Sequence, residues 1–265
     1  GPRLRYFAWT GAVGICRLFL LLWVIARFDV IVLGAGSCFF AFRELPLLRL
    51  LGKKVVYTLH GTDARPPYID GFFDPVQYGL ASLEGATQQD RPQMLAQAHA
   101  VVTRKRAQAV QRIERYASFV LCAPGYSHFL SRPYVNFYAV GLPTVAPRGL
   151  APVPHITDGK VKILHAPSHK AGKGTAGIRA AIEALIAEGF PIEYVEISGQ
   201  PNAAVFNAIQ RCDFVVDQLY SDTPMAAFAA EAALLGKPAI VGSHYCDRGP
   251  VDITPDHLPP SLWCH

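Results

Sequence analysis

A chain of 265 residues that is 51% hydrophobic can bury a substantial core and has room for two modest domains. Only 17% of its residues are charged, and the formal net charge is +5, a balance that suits an anionic partner such as a nucleotide diphosphate or an acidic membrane surface. The basic residues read as scattered and no basic helix is interleaved with aromatics, which argues against nucleic acid as a partner. The six cysteines, Cys16, Cys38, Cys122, Cys212, Cys246 and Cys264, contain no CxxC pair, so no zinc site is expected. In their mostly apolar runs they read as reduced thiols of a cytoplasmic protein. No signal peptide is expected, and Gly1-Pro2 reads as the remnant of a cleaved tag.

In chain order, residues 16–26 form an apolar helix candidate flanked by Arg17 and Arg27. It is too short to span a bilayer, so it reads as a buried core helix, with an interfacial helix and peripheral membrane contact as the alternative. A strand is expected over 28–33, ending in Gly34-Ala-Gly36, then a helix over 39–51 and a strand over 54–59. Residues 66–92 lack periodicity and read as an irregular loop. A helix over 92–117 with a break at 100–102 precedes a strand at 119–122, a short helix at 124–130 and a strand at 135–140. Prolines 144, 147, 152 and 154 mark a linker over 143–158. The second half alternates: strands at 161–165, 193–197, 213–217 and 238–242, with helices at 176–188, 202–210 and 224–235. Strands alternating with helices imply parallel sheets, in two lobes assigned to residues 1–147 and 158–265. Both lobes look incomplete: the first lacks an opening strand with a glycine loop, and the second lacks closing helices.

Several polar groups fall at strand ends, where open α/β sheets place ligands. Lys173 lies in Gly172-Lys-Gly-Thr175, directly before a helix; amide groups at a helix start with a lysine beside them can hold an anion. The loop is not a Walker A motif, because Pro167 stands where that pattern needs glycine. A solvated turn lysine is the plainer alternative. Glu231 interrupts an apolar helix, a costly place for a carboxylate without partners; a ribose diol would supply two donors. His60-Gly-Thr-Asp63 and Arg65 follow the strand at 54–59. Asp217 ends the strand at 213–217, either as an ordinary polar terminus or as a nucleotide contact. Ser198 and Gly199 end the strand before it. Gly34-Ala-Gly36 fails the dinucleotide fingerprint, since Phe39 occupies its third glycine position.

The order and spacing of the Lys173 loop, Glu231 and the Gly236-Lys-Pro turn resemble the nucleotide-sugar half of a GT-B glycosyltransferase, in the large retaining family 4 that includes sucrose synthases and bacterial mannosyltransferases. The resemblance is strongest over 161–242. It implies two Rossmann-like lobes facing a cleft and a metal-independent, hexosyltransferase-type reaction. That reaction would move a sugar from a UDP- or GDP-sugar to a sugar or lipid-linked acceptor hydroxyl, as in bacterial polysaccharide or glycolipid assembly. The nucleotide-sugar is the substrate, and no cofactor or metal is implied. Such a protein would be cytoplasmic, with the inner membrane face as a peripheral site. The resemblance implies donor binding by Ser168, His169, Lys170, Lys173, Gly174, Ser198, Asp217, Thr223 and Glu231, and catalysis by His60, Asp63 and Arg65. Two positions depart from the family. Ser168 stands where an arginine is usual, with His169 and Lys170 as nearby substitutes. Thr223 stands where the first of two glutamates is usual, with Asp222 beside it. These departures support a rival reading, a catalytically degenerate binding or scaffolding protein. An NAD-dependent enzyme using the strand and turn at 31–36 is a second rival.

Overall fold

A computed structural model of the chain describes residues 2–34, 38–69, 73–80, 82–84, 86–141, 144–145, 147, 149, 159–220, 226–242 and 261–264. The linker expected at 143–158 and residues Asp222 and Thr223 therefore fall largely or wholly outside the described residues. The chain is α/β and Rossmann-like, with two compact units. One unit comprises residues 1–66 and 100–136, the other residues 67–99 and 137–265.

The first unit holds helix α1 (Pro2–Arg27), strand β1 (Val30–Gly34), helix α2 (Leu45–Leu50), strand β2 (Lys54–Thr58), much of helix α3 (Arg91–Tyr116), strand β3 (Phe119–Cys122) and strand β4 (Val135–Asn136). Its four strands are parallel and lie in the order β1-β2-β3-β4. Alternate residues Ile31, Leu33, Val55, Tyr57, Val120 and Cys122 enter a core with Leu45 and Leu48 of α2 and Val110 and Ile113 of α3. The opposite face keeps Val30 58%, Val32 68% and Phe119 59% exposed.

Several expectations are corrected in this unit. Helix α1 is longer than residues 16–26 and is not a core helix. Leu21 is buried, with Val24 and Ile25 packed beside the core, while Ile15, Leu18, Phe19, Leu20, Leu22 and Trp23 are exposed. Apolar residues surround this helix, but the unit offers cover to one stripe only. No helix among the described residues is long and apolar enough to cross a membrane. The helix expected at 39–51 shrinks to 45–50. The buried Glu44 carboxylate accepts the amides of Phe39 and Phe40 at 2.8 and 3.1 Å, tying those residues into a loop before Pro46. The break expected at 100–102 does not occur: α3 runs through it, and Val102 is buried. The strand at 135–140 stops at Asn136 and turns into the short helix α4 (Phe137–Val140) of the second unit. The helix at 124–130 reduces to a 3-10 turn, Pro124–Tyr126.

The second unit contains β5 (Val161–His165), α5 (Lys170–Lys173), α6 (Thr175–Ala187), β6 (Ile192–Glu196), α7 (Asn202–Arg211), β7 (Phe214–Val216), α8 (Ala227–Leu234), β8 (Ala239–Gly242) and β9 (Ser261–Cys264). β9 was not expected from sequence. All five strands are parallel, in the order β6-β5-β7-β8-β9. This sheet is packed on both faces. Ile163 meets Ile178 and Ile182 of α6, while Leu164 and Val215 meet Phe206 and Ile209 of α7 and Phe228, Ala229 and Ala232 of α8. The chain therefore leaves β5 over one face and β7 over the other. Such a reversal, here beyond the carboxyl ends of β5 and β7, is where doubly wound sheets place the crevice that binds ligands.

Candidate functional site

The crevice between β5 and β7 is built from the bottom by His165. This residue ends β5 and is 0% exposed. Its Nδ1 lies 2.8 Å from the carbonyl oxygen of Val216 on β7, and its Nε2 lies 2.9 Å from Oγ1 of Thr175, the first residue of α6. A carbonyl only accepts, so Nδ1 carries the proton and Nε2 accepts from the threonine hydroxyl. Burial, chiefly, holds the imidazole below its ordinary pKa and keeps it neutral. One side chain thus fixes two strand ends and a helix start. His165 was not recognised in the sequence as part of the site. Its signal was there, a polar residue closing an apolar strand run.

Above it, the loop after β5 becomes the short helix α5, so Lys173 ends a helical turn and, as expected, stands just before a longer helix, with Gly174 alone between it and α6. Lys173 Nζ donates to Asp217 Oδ1 at 3.0 Å, and the Leu219 amide donates to the Lys173 carbonyl at 3.0 Å. Asp217 is 1% exposed, and its Oδ2 has no hydrogen-bond partner among the described residues. The two loops of the crevice are therefore latched, with one carboxylate oxygen left over. Gly174 is obligatory here: its φ is +71°, and a Cβ would stand 2.6 Å from Cβ of Leu219. Gly242, at the end of β8, is tighter still. A Cβ there would lie 2.0 Å from the Leu219 carbonyl oxygen.

The remaining sequence-selected residues described in this unit lie on the loops after β5 and β6 or on α5 and α8, most of them with partners of their own. His169 caps α5, its Nδ1 accepting the Gly172 amide at 3.0 Å. Lys170 Nζ donates to Glu196 Oε1 at 2.8 Å. Arg179 forks onto the same carboxylate with bonds of 2.8–3.2 Å, and Tyr194 donates to it at 3.2 Å. Lys170 above all, with Arg179, brings the Glu196 pKa down to about 2. Glu231 accepts from Nδ2 of Asn202, the first residue of α7, at 2.8 Å. That bond ties Glu231 to a helix start that follows the carboxyl end of β6. Ser168 and Ser198 are exposed on the loops after β5 and β6. Glu196 and Asn202 were missed in the sequence, because each reads alone as a surface polar residue.

In the first unit, His60, Asp63 and Arg65 do gather beyond the carboxyl ends of β2 and β3. The Asp63 carboxylate accepts the His60 amide at 3.1 Å, and the His60 side chain returns the favour to the Asp63 amide as a capping box. A Cβ on Gly34 at the end of β1 would approach Nε2 of His60 to 3.7 Å, so the imidazole lies beside that strand end. Burial raises the Asp63 pKa, against the His60 amide and the charges of His60 and Arg106. Arg65 is buried, with its guanidinium carbon 5.6 Å from the centre of the Tyr126 ring. Its carbonyl accepts from Arg106 at 2.8 Å. Burial and the Arg65 charge lower the pKa of His128. Arg106, Tyr126 and His128 join the group only through the fold, since they come from α3 and the loop after β3. Among the described residues no three His, Cys, Asp or Glu side chains gather into a metal-binding set.

No protein-family model matches the chain, and no curated protein matches its sequence.

Proposed function

We propose that the chain is a GT-B glycosyltransferase of the retaining, family 4-like type, and that its second unit binds the nucleotide-sugar donor. The support is one observation above the others: Lys173 and Asp217 meet at the β5/β7 reversal, the place where doubly wound sheets take ligands. In this reading a donor diphosphate competes with Asp217 for the Lys173 ammonium. The loop amides and the start of α6 add positive potential to the same spot. Glu231, beside the start of α7, accepts the ribose hydroxyls in exchange for Asn202. Stabilising the departing diphosphate is the catalytic task of this half.

The first unit supplies the acceptor side. In this reading His60 is the group that acts on the reacting atoms and Asp63 sets its turn, while Arg65 and Arg106 keep the local potential positive. The test is turnover of a panel of UDP- and GDP-sugars, with and without an acceptor. Replacing His60 with Ala should leave nucleotide affinity within a few-fold and lower turnover by about a hundredfold. Loss of nucleotide binding in that variant would overturn the division of labour.

A specific observation favours one second reading, a binding protein without catalysis. Lys173, Lys170 and Glu231 all have intramolecular partners, and Ser168 replaces the family's arginine. Donor hydrolysis without an acceptor separates the readings: a catalyst leaks hydrolysis, and a degenerate binder does not.

A further inference from the structure

The amino ends of the first sheet's strands carry a recess of about 370 Å³ that the glycosyltransferase reading does not use. Arg49 at the end of α2, Lys53 and Lys54 at the start of β2, Arg115 at the end of α3, and Arg132 all line it, and among the described residues no acidic one does. The whole chain has an excess of only five basic residues over acidic ones, so one recess concentrates as many cations as the entire net charge. The basic residues are therefore not scattered, as the sequence suggests, but partly focused by the fold.

Some of these cations have structural work. Arg132 donates to the carbonyls of Glu114, Ala117 and Ser118 at 2.9, 3.2 and 3.0 Å, closing the end of α3. Arg49 donates to the Arg115 carbonyl. Lys53 pairs with Asp29 at 3.0 Å, but that carboxylate is 96% exposed and screened by water. Among the described residues the Lys54 ammonium has no hydrogen bond or ion pair, although its backbone amide donates to the Asp29 carbonyl at 2.8 Å, and the Arg115 guanidinium has only the Tyr116 ring, 5.6 Å from its centre. Helix-end carbonyls offset a fraction of one charge. A surplus of positive charge in a concave, partly walled site remains, and such a site concentrates anions.

We propose that this recess binds a phosphate-bearing anion, gripped by the Arg115 and Arg49 guanidinium groups and the Lys54 ammonium. Guanidinium forks match phosphate oxygens two at a time, and the lysine adds a mobile point charge. Two sources share this chemistry, a soluble phosphate compound and a phospholipid headgroup. The second has support in the same unit: α1 ends two residues before Asp29, and Phe19 and Trp23 on that helix and Phe28 just after it are 68%, 53% and 45% exposed. The inference does not rest on the nucleotide-sugar reading.

The test uses two probes, pyrophosphate by calorimetric titration and sedimentation with vesicles of phosphatidic acid in phosphatidylcholine. Both are run on the Lys173→Ala variant, so that the β5/β7 crevice contributes less. The double substitution Lys54→Glu with Arg115→Glu should weaken whichever probe binds by at least about tenfold, the scale of one lost charge-assisted bond. Lys54→Gln, a milder change on an exposed side chain, should give a smaller loss in the same direction and covers the case of a misfolded double variant. Binding of pyrophosphate without vesicles identifies a soluble ligand; binding of vesicles without pyrophosphate identifies a headgroup. Binding of neither probe, or equal binding by the substituted and unsubstituted proteins, would overturn the proposal.

Discussion

The second sheet carries a buried cluster on each face, whereas the first carries one and leaves Val30, Val32 and Phe119 open on the other. Their carboxyl edges differ in the same sense. At the second, a buried neutral histidine, a lysine–aspartate pair and a glycine against a carbonyl lock β5, β7 and β8 together. At the first, a three-residue turn and a capping box hold His60 and Asp63 near the surface. A preformed edge suits a ligand with fixed phosphate geometry, because positions need not be reorganised on binding. A lightly held edge suits groups that adjust to a second reactant.

The largest test of that contrast is steric. Gly242→Ala should cost about 3 kcal/mol, since its Cβ would meet a backbone carbonyl that cannot move without disturbing the Lys173–Asp217 loop. Gly34→Ala on the first sheet, with the nearest atom at 3.0 Å, should cost about 1 kcal/mol. Calorimetric melting measures both, and equal losses would erase the distinction. A second comparison uses the two histidines. His165→Leu leaves the Val216 carbonyl and the Thr175 hydroxyl without their partner and should cost about 2–4 kcal/mol. His60→Ala, at an exposed turn, should cost about 1 kcal/mol or less. A His165 variant as stable as the wild type would show that the crevice floor is not what orders the edge.

Much of this architecture is legible in the sequence, for identifiable reasons. Short apolar runs such as Val161–His165 are too brief for helices and are bounded by loop residues, so most of their strands lie within a residue or two of the expected bounds, the strand expected at 135–140 excepted. The Lys173 loop and Glu231 stood out because each breaks the local pattern. The failures have physical causes too. Helix α1 is apolar all round, and periodicity cannot tell which stripe will find cover. The Glu44 carboxylate captures two amides upstream, a local bond that competes with helix over 39–44. Alanine and valine at 100–102 are compatible with either a helix or a break, and burial of Val102 decides it. The pairings of Lys170 with Glu196 and Asn202 with Glu231 span 26 and 29 residues, beyond any sequence window.

A smaller effect concerns binding. Glu231→Gln should weaken a nucleotide by about 1.5 kcal/mol, the difference between a charged and a neutral acceptor, while changing stability little. A 2′,3′-dideoxy nucleotide should bind the wild type about as poorly as the normal nucleotide binds this variant. If removing the hydroxyls costs nothing, Glu231 serves only Asn202.

The smallest effect is a pH dependence. Glu196 has its folded pKa depressed to about 2 from an ordinary 4.5, so its contribution to stability is complete above pH 4.5 and disappears as pH falls toward 2. Lys170 and Arg179 are 55% and 45% exposed, so the contribution should be under about 1 kcal/mol. Denaturant unfolding at pH 5 and pH 3 should show the wild type losing slightly more stability than Glu196→Gln. A loss of the same size in both proteins would remove Glu196 from the account.

The central claim is that a nucleotide diphosphate occupies the β5/β7 crevice of the second unit. Calorimetric titration of UDP, GDP and ADP against the wild type, Lys173→Ala and His60→Ala tests it most directly. The account predicts that at least one diphosphate binds the wild type, that Lys173→Ala loses about 1.5–3 kcal/mol of that affinity, and that His60→Ala stays within a few-fold. Failure of all three diphosphates to bind, or unchanged affinity in Lys173→Ala, would contradict it.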